Sequence, residues 1–342
     1  MRDRSRLACF VAAVLFGAST PAAKLLLDRV EPFTLAGLFY LGAALAMLPL
    51  ARRGGSAALR RTGRERLMLG GAVLAGGAIG PVALLLALRQ SGAASVSLWL
   101  NLETVATAFL AWAFFREHLD RITLLAAAAI LTGGVLLAVG DPQAGWRAAS
   151  FVGLACLAWG IDNNLTAAIG GFTPAQTTLA KGLGAGTINL AIGCGIARAV
   201  PNATLIVTAL LVGVVCYGLS ILLYIYGAQR LGASRAQLLF AVAPLSGLLA
   251  AWTLLNEPLR AAHVGAIVAM GCGVLLLNRV RHAHEHEHES MEHTHYHRHG
   301  TLHHEHTHDD LPADTWHIHP HAHHALTHSH PHDADLHHRH EH

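Results

Sequence analysis

Four ionisable side chains interrupt long apolar stretches of this sequence: Lys24, Glu103, Asp162 and Lys181. An ionisable group inside an apolar membrane helix costs about 2.5–3.5 kcal/mol on insertion scales, so it usually pairs with another group or serves a function. A carboxylate in such a place can bind a proton or a cation. These four residues are therefore the first candidates for a functional site.

Glu103 lies about eight residues into an apolar stretch that runs from 95 to 115, which is roughly 12 Å along a helix. Its short side chain cannot easily reach the membrane surface. Two interpretations stay open: a structural acid satisfied by a neighbouring amide or by Lys24, or a carboxylate that couples to a proton or cation. Asn101, two residues earlier, adds another polar group to this candidate site.

Asp162 begins an unusually polar run, Asp162-Asn163-Asn164-Leu165-Thr166. Unsatisfied polar groups are expensive in lipid, so these side chains must line a cavity or pack against another helix. Helical spacing puts Asp162 and Thr166 on one face. Ser19 and Thr20 occupy the equivalent place in the first half of the chain. The two segments together form the predicted central site.

The two lysines are expected to have structural roles. Lys181 and Asp162 fall at similar depth, so an ion pair between them is predicted. A second ion pair is predicted between Lys24 and Glu103. The alternative for both lysines is that their long side chains reach the membrane surface.

The C-terminal tail holds most of the histidines, because of the 26 in the chain only His118 and His263 lie before residue 282. The segment 280–342 lacks the apolar content to fold and is predicted to be disordered. In an extended chain, residues i and i+2 point the same way, so His-x-His presents neighbouring imidazoles that suit Zn, Ni, Co and Cu(II). The predicted ligands are His282, His284, His286, His288, His293, His295, His297 and His299. The alternative is a solubilising tail whose charge follows pH.

The rest of the chain has the composition of a membrane protein. The 342 residues are 53% hydrophobic and 13% charged, with a mean hydropathy of +0.42, whereas soluble domains carry about 25% charged residues. Roughly 20 apolar residues cross the hydrocarbon core as a helix. Such stretches predict ten spans, at 7–27, 33–51, 67–88, 95–115, 121–139, 149–169, 176–197, 203–227, 236–254 and 261–278.

Arginine counts predict the orientation of these spans. With the N-terminus inside the cell, fifteen arginines lie in the inner segments and five in the outer ones. Because cytoplasmic loops carry the excess of positive charge, both termini are expected in the cytoplasm, with the protein in the inner (plasma) membrane. The first span also resembles a signal peptide, but its apolar run is longer than a typical signal core.

The two halves of the chain resemble each other at an offset of 140 residues. Five spans in each half is an odd number, so the second half must insert upside down relative to the first. Inverted repeats are typical of transporters, in which the substrate site lies near mid-membrane between the halves. The alternative is a duplication for stability alone. The matching residues are Gly92, Ala93, Leu98, Ala111, Trp112, Glu117 and Leu119 with Gly232, Ala233, Leu238, Ala251, Trp252, Glu257 and Leu259.

These features resemble the EamA-like permeases of the drug/metabolite transporter superfamily. The resemblance covers about residues 7–279, not the tail, and implies an all-α membrane protein of ten helices with repeats at 7–140 and 149–279. Pro244 matches the proline of the family's fourth helix in the second repeat, whereas the first repeat has the carboxylate of Glu103 in that region. The motifs are Phe16-Gly17-Ala18-Ser19 and the two turns Arg116-Glu117-His118-Leu119 and Asn256-Glu257-Pro258-Leu259.

The expected function is secondary transport of a small solute by alternating access, with export of a divalent metal such as Ni, Co or Zn as the first case to test. Two alternatives stay open: an exporter of an organic metabolite or drug whose tail buffers or senses metal, and a membrane-anchored metal sensor that transports nothing. Without a nucleotide loop or nucleophile motif, neither enzymatic activity nor a required cofactor is expected. The expected partners are the bilayer and a small-molecule or metal-ion substrate, with a homodimer left open and no nucleic acid.

Overall fold

The computed structural model describes residues 2–53, 62–115, 121–141, 145–197, 200–231 and 233–277, and four tail segments at 282–288, 291–297, 317–323 and 326–332. Between residues 2 and 277 the described chain forms ten helical segments. Each of the ten predicted spans overlaps one of them. The predicted number of helices is therefore confirmed.

The first five segments occupy the N-terminal half of the chain. Thr62 begins the third segment, where its hydroxyl accepts from the Glu65 N–H while the Glu65 carboxylate accepts from the Thr62 N–H, an arrangement that satisfies two backbone donors at the helix start. The segments are α1 (Arg2–Leu27), α2 (Pro32–Arg53), α3 (Gly63–Ala72) continued by a π-helix (Val73–Ile79) and α4 (Gly80–Gln90), α5 (Ala93–Trp99) with α6 (Leu102–Phe115), and α7 (Arg121–Gly140).

The second five segments follow the same order. Thr173 and Gln176 form a capping box at the start of the seventh segment. The segments are α8 (Trp146–Ala167), α9 (Pro174–Ile196), α10 (Ala203–Val212) continued by a π-helix (Gly213–Leu219) and α11 (Ser220–Leu231), α12 (Ala233–Phe240) with α13 (Ala243–Leu255), and α14 (Ala261–Leu277).

Two kinds of interruption recur in both halves, at sequence offsets of 140 and 141. One π-helix begins at Val73 and the other at Gly213. The fourth segment breaks after Trp99, where the next two N–H groups turn back to the carbonyls of residues 97 and 98. The ninth breaks after Phe240, and Pro244 stands in the first turn of the helix that restarts there, where its missing N–H costs no intrahelical bond.

Segments of one half pack against segments of the other. The second packs against the seventh, and the fifth packs against the tenth. The first contacts the eighth and ninth, while the sixth contacts the third and fourth. The core of the bundle is therefore an interface between the two halves.

Glycines permit the close contact of the second and seventh segments. A Cβ atom on Gly182 would lie 2.7 Å from the Tyr40 carbonyl oxygen and from the Ala44 nitrogen. A Cβ atom on Gly186 would lie 2.9 Å from the Leu41 side chain. These contacts give Gly182 and Gly186 a role in close helix packing.

Seven helices of the described chain are long and apolar enough to cross a membrane. They are Arg4–Leu27, Pro32–Arg52, Gly63–Gln90, Ala93–Leu110, Arg121–Gly140, Pro174–Ile196 and Ala203–Ala228. The ninth and tenth segments contribute the shorter apolar helices Ala243–Leu255 and Ala261–Leu276, while the sixth carries the polar run at 162–166. These helices are those of a multi-pass membrane protein, and a crossing by all ten stays a prediction.

The described parts of the tail are four short strands, and disorder of the tail as a whole stays a prediction. Strand β1 (His282–His288) pairs antiparallel with β4 (Leu326–His332), and β2 (Met291–His297) pairs antiparallel with β3 (His317–His323). The alternating His-x-His pattern has the period of two that a strand requires. A ladder of only two strands is marginally stable in water. The remainder of the predicted disordered region lies outside the described residues.

Substitution of Gly182 by valine is expected to destabilise the bundle, because the added side chain must push the second and seventh segments apart. Overpacking of this kind costs about 1–3 kcal/mol. Thermal unfolding in detergent measures the effect. Gly195→Val is the matched control on the same helix, since a Cβ atom at Gly195 meets nothing within 4 Å. Equal melting temperatures for the two variants would contradict the packing role.

Candidate functional site

A cavity of about 50 Å³ lies at the centre of the bundle, between segments of both halves. A smaller cavity of about 10 Å³ shares Phe16, Glu103 and Phe240 with it. Polar and aromatic side chains dominate the walls of the central cavity, with Ile221 and Ile225 as the aliphatic members. The full lining is Phe16, Tyr40, Glu103, Trp159, Asp162, Asn163, Thr166, Lys181, Ser220, Ile221, Tyr224, Ile225 and Phe240.

Glu103 reaches the cavity because the fourth segment breaks just before it. Leu100 and Asn101 form the turn, and α6 restarts at Leu102, so Glu103 stands in its first turn. The positive end of a helix dipole stabilises a carboxylate in that position. The residue is buried, with 7% of its surface exposed.

The hydrogen-bond partners of Glu103 are neutral amides. Its Oε1 atom accepts from Asn163 Nδ2 at 2.8 Å and from Gln237 Nε2 at 3.4 Å. Gln237 in turn accepts a hydrogen bond from the Tyr224 hydroxyl at 2.9 Å. Among the described residues, no hydrogen-bond partner meets Oε2. The carboxylate therefore links the fourth, sixth and ninth segments while one of its oxygens stays available.

Asp162 and Lys181 form a buried ion pair between the sixth and seventh segments. The pair was predicted from sequence, and this contact confirms it. The lysine donates to Asp162 Oδ2, while Oδ1 has no partner among the described residues. Because the ammonium and carboxylate groups are in direct contact, their charges cancel, and the pair adds little net charge to the cavity wall.

The π-helix of the third segment brings backbone to the same cavity wall. The Gly76 carbonyl accepts hydrogen bonds from the Tyr40 hydroxyl at 2.7 Å and from Trp159 Nε1 at 3.0 Å. A Cβ atom on Gly76 would overlap the Asp162 carboxylate. Glycine is therefore required at this position, and the π-helical turn fits the frequent occurrence of such turns at functional sites.

Asn163 and Thr166 line the cavity, as predicted for the sixth segment, but Asn164 does not. Its side-chain amide donates to the backbone carbonyls of Gly160 at 2.8 Å and Thr107 at 3.2 Å. That contact ties the sixth segment to the fourth. Thr166 also donates its hydroxyl to the Asp162 carbonyl at 2.8 Å.

Asn101 lies in the turn that breaks the fourth segment. Its amide donates to the Leu98 carbonyl at 3.3 Å and contacts Met270 Sδ at 3.6 Å. It lines the smaller cavity rather than the central one. Its Oδ1 atom has no hydrogen-bond partner within the described chain.

Ser19 and Thr20 do not line the central cavity, which corrects their placement in the predicted site. Both are fully buried, and their hydroxyls have no hydrogen-bond partner among the described residues. Phe16, one helical turn earlier, faces the cavity instead. The first segment thus contributes an aromatic wall rather than hydroxyl groups.

Lys24 does not pair with Glu103, and that prediction is wrong. Its ammonium group donates to the carbonyls of Leu88 at 2.5 Å and Ser91 at 2.9 Å. These carbonyls lie at the end of α4, where the last backbone acceptors of a helix lack intrahelical partners. Lys24 therefore caps a helix, a structural role of the general kind expected for it.

The predicted tail ligands fall on strands β1 and β2, except for His299, which lies outside the described residues. The strands contain His282, His284, His286 and His288, and His293, His295 and His297. Among the side chains that the structure describes, no three or more of His, Cys, Asp and Glu are grouped as metal ligands. Metal binding by the tail stays a prediction.

The second of the two Glu-containing turns ties the ninth segment to the fourth. Glu257 accepts from the backbone N–H groups of Ala93 and Ala94, both at 2.8 Å, and so caps the start of α5. Nearby, Arg260 donates to Asp141 Oδ1 at 2.5 Å. The corresponding Glu117 lies outside the described residues.

Several cavity residues were not recognised from the sequence: Tyr40, Tyr224, Gln237 and Phe240. The available sequence signal for Gln237 was a single amide in an apolar stretch, and the structure buries that residue at 5% exposure. Aromatic residues in apolar helices more often fill cores than line sites, so the residue type alone did not indicate that these rings line a cavity. Only the packing of helices from both halves shows which of them face the cavity.

A ten-helix bundle of apolar helices with a polar and aromatic cavity at its centre is an architecture of membrane transporters. The comparison with protein families agrees with that class. The model of the EamA-like transporter family matches residues 4–139 and again 146–279. The chain therefore belongs to the EamA-like transporter family.

Similar proteins were found both by sequence and by structure. A protein of Methanothermobacter thermautotrophicus, described as an uncharacterized transporter, is 25% identical over 296 residues, which cover 78% of this chain and 83% of that protein. A solved crystal structure superposes with a TM-score of 0.60 at 17% identity, over 81% of this chain and 96% of the other. The structural likeness shows a shared fold alone.

Replacement of Lys181 by methionine is expected to destabilise the protein strongly, because it leaves the buried Asp162 carboxylate without its cation. Breaking a buried ion pair in this way costs about 3–5 kcal/mol. Adding Asp162→Asn should recover most of the loss, since no unpaired charge then remains. Unfolding of the two single variants and the double variant in detergent measures this coupling.

Lys24→Met is the control for this cycle, because Lys24 bonds carbonyl oxygens rather than a carboxylate. Adding Asp162→Asn to Lys24→Met should recover nothing. Additive effects of Lys181→Met and Asp162→Asn would contradict the pairing.

Proposed function

We propose that this protein is a secondary-active transporter of the inner membrane that moves a small solute by alternating access around the central cavity. The observation that carries the proposal is Glu103, a buried carboxylate held by neutral amides in a cavity lined by both halves of the bundle. Ionisable groups at such depth in membrane helices mark substrate or ion pathways. Membership of the EamA-like transporter family agrees with a transport role.

Alternating access requires two units that can rock against each other, and we assign these units to two inverted five-helix repeats. The π-helices that begin at Val73 and Gly213, and the breaks after Trp99 and Phe240, support the repeat because they recur at nearly the same offset, 140 and 141 residues. The packing of segments across the halves also supports it, since the first segment contacts the eighth as the sixth contacts the third. Discontinuous helices next to a substrate site are common in such transporters.

In the proposed orientation both termini and the histidine tail face the cytoplasm. The excess of arginine in alternate connections supports this orientation. A proton or other cation would reach Glu103 from one side of the membrane at a time. Binding and release at that carboxylate then supply the coupling between a gradient and solute movement.

For the substrate, two candidates have separate support. A divalent metal is favoured by the tail, whose closely spaced histidines suit Ni, Co, Zn and Cu(II). In this case the tail would collect metal in the cytoplasm for export. An organic metabolite or drug is favoured by the cavity wall, where five aromatic rings surround the polar groups. In that case the tail buffers or senses metal.

Glu103→Gln is expected to abolish gradient-driven solute movement while the protein still folds, because glutamine keeps the size and hydrogen-bonding capacity of the side chain but cannot carry a charge. Proteoliposomes with an imposed pH gradient and a panel of solutes measure protein-dependent proton flux. Glu31→Gln is the control, since Glu31 accepts from the Thr34 N–H outside the cavity. If Glu103→Gln transports like the original protein, Glu103 is not the coupling group.

Truncation after Arg281 separates the two substrate candidates. If metal is exported, loss of the tail should lower the tolerance of an overexpressing strain to Ni, Co, Zn or Cu and raise its cell metal content. If an organic solute is exported, its transport should continue without tail or metal. Unchanged metal tolerance and content for both the intact and truncated proteins would reject the metal candidate. A protein that moves no solute in either assay, yet binds metal through its tail, would be the membrane-anchored sensor.

A further inference from the structure

We propose that the central cavity binds a small monovalent organic cation, an ammonium group on a short apolar body, with Glu103 as its counter-ion. The inference rests on the proposed transport function and names the class of substrate for the same site. It follows from the charge of the cavity wall, from the rings around it and from its size.

The charge of the cavity wall favours one positive charge on the ligand. Asp162 and Lys181 neutralise each other across the sixth and seventh segments. Glu103 receives hydrogen bonds from Asn163 and Gln237 only on Oε1, and both donors are neutral. The wall therefore retains a single negative charge when Glu103 is ionised. A monovalent cation balances it, whereas an anion would add a second negative charge to an apolar interior.

The oxygen atoms that the cavity offers to a cation suit an ammonium group better than a divalent metal. Zinc takes about four nitrogen, sulfur or oxygen ligands, and hard divalent cations take about six or more oxygens. In this cavity Asp162 Oδ2 already accepts from Lys181, which leaves Glu103 as the carboxylate without a cationic partner. An ammonium group needs only a few hydrogen-bond acceptors and one opposite charge.

Aromatic rings surround the site and add a second attraction for an organic cation. Phe16 stands at the centre of the ring cluster, with ring centroids 5.5 Å from Trp159 and 5.4 Å from Phe240. The Tyr224 ring lies 5.0 Å from that of Phe240. The face of an aromatic ring attracts a cation, and most strongly when the cation is desolvated. The same rings offer an apolar surface to the carbon atoms of the ligand.

The size of the cavity sets the scale of the ligand in this conformation. A water molecule requires roughly 10–15 Å³ of such a volume, so the cavity of about 50 Å³ has room for a few non-hydrogen atoms. An ammonium group with a chain of two or three carbons fits this space. Ile221 and Ile225 provide the aliphatic wall for that chain.

A proton competes with this cation, because both require the same carboxylate. When the ammonium ligand binds to protonated Glu103, one proton leaves the carboxyl group and the charge of the site is unchanged. Binding should therefore weaken as pH falls. This competition would let an inward proton gradient drive the cation outward with one proton exchanged for one cation.

Calorimetric titration of the purified full chain in detergent with n-propylammonium tests the proposal. The expected result is saturable binding with release of up to one proton per cation, and affinity that decreases at acidic pH. Glu103→Gln should weaken binding by about 30-fold or more, which corresponds to losing one partner of a buried charge pair. Phe16→Leu should weaken it by roughly threefold, as expected for the loss of one ring contact.

Glu31→Gln is the control, with binding expected to match the original protein, and melting temperatures verify that every variant is folded. Propionate has the same carbon chain as n-propylammonium with the opposite charge, and it should not bind. Binding of propionate in preference to n-propylammonium would overturn the proposal, as would equal n-propylammonium affinity in the original protein and in folded Glu103→Gln.

A counterflow assay in proteoliposomes with n-propylammonium, propionate and Ni²⁺ separates this proposal from the transport function. If only propionate or Ni²⁺ is carried, the protein is a transporter and the assignment of an ammonium substrate is wrong. If n-propylammonium is bound but none of the three is carried, the cation site stands and the transport function does not. If n-propylammonium is bound and exchanged and the exchange depends on Glu103, both proposals are supported.

Discussion

The central constraint on this protein is the placement of two carboxylates in the core of an apolar bundle. A charge in such surroundings needs an opposite charge or several hydrogen bonds. Asp162 has the first of these in Lys181, and Glu103 has the second in Asn163 and Gln237. Because their partners differ, the two carboxylates differ in what they can do. Asp162 belongs to a neutral ion pair, whereas the charge of Glu103 is not neutralised by a cationic side chain among the described residues.

The irregular parts of the helices make this arrangement possible. The break before Glu103 puts the carboxylate at the start of a helix, and the π-helix of the third segment brings the Gly76 carbonyl to Tyr40 and Trp159. A continuous α-helix would use these backbone groups internally. The same interruptions lie close to the residues that line the cavity.

Ties between segments hold the bundle at one end of these broken helices. Glu257 caps the half-helix that begins at Ala93, and Lys24 caps the end of the third segment. Neither role follows from residue type, because a glutamate in a turn and a lysine in a span have many other uses. Lys24 was predicted to pair with Glu103, and the carbonyls of Leu88 and Ser91 proved to be its partners.

The sequence by itself determined the ten helices, the four ionisable groups within apolar helices and the ion pair of Asp162 with Lys181, because apolar length and the cost of a charge in an apolar helix can be read along each span. Only the tertiary structure decided which polar residues meet. Ser19 and Thr20 lie one helical turn from Phe16, on the same side of α1, yet Phe16 lines the cavity and the two hydroxyls do not. The level at which the cavity meets each helix and the choice of partners depend on the packing of side chains from both halves at once, and no single stretch of sequence contains that information.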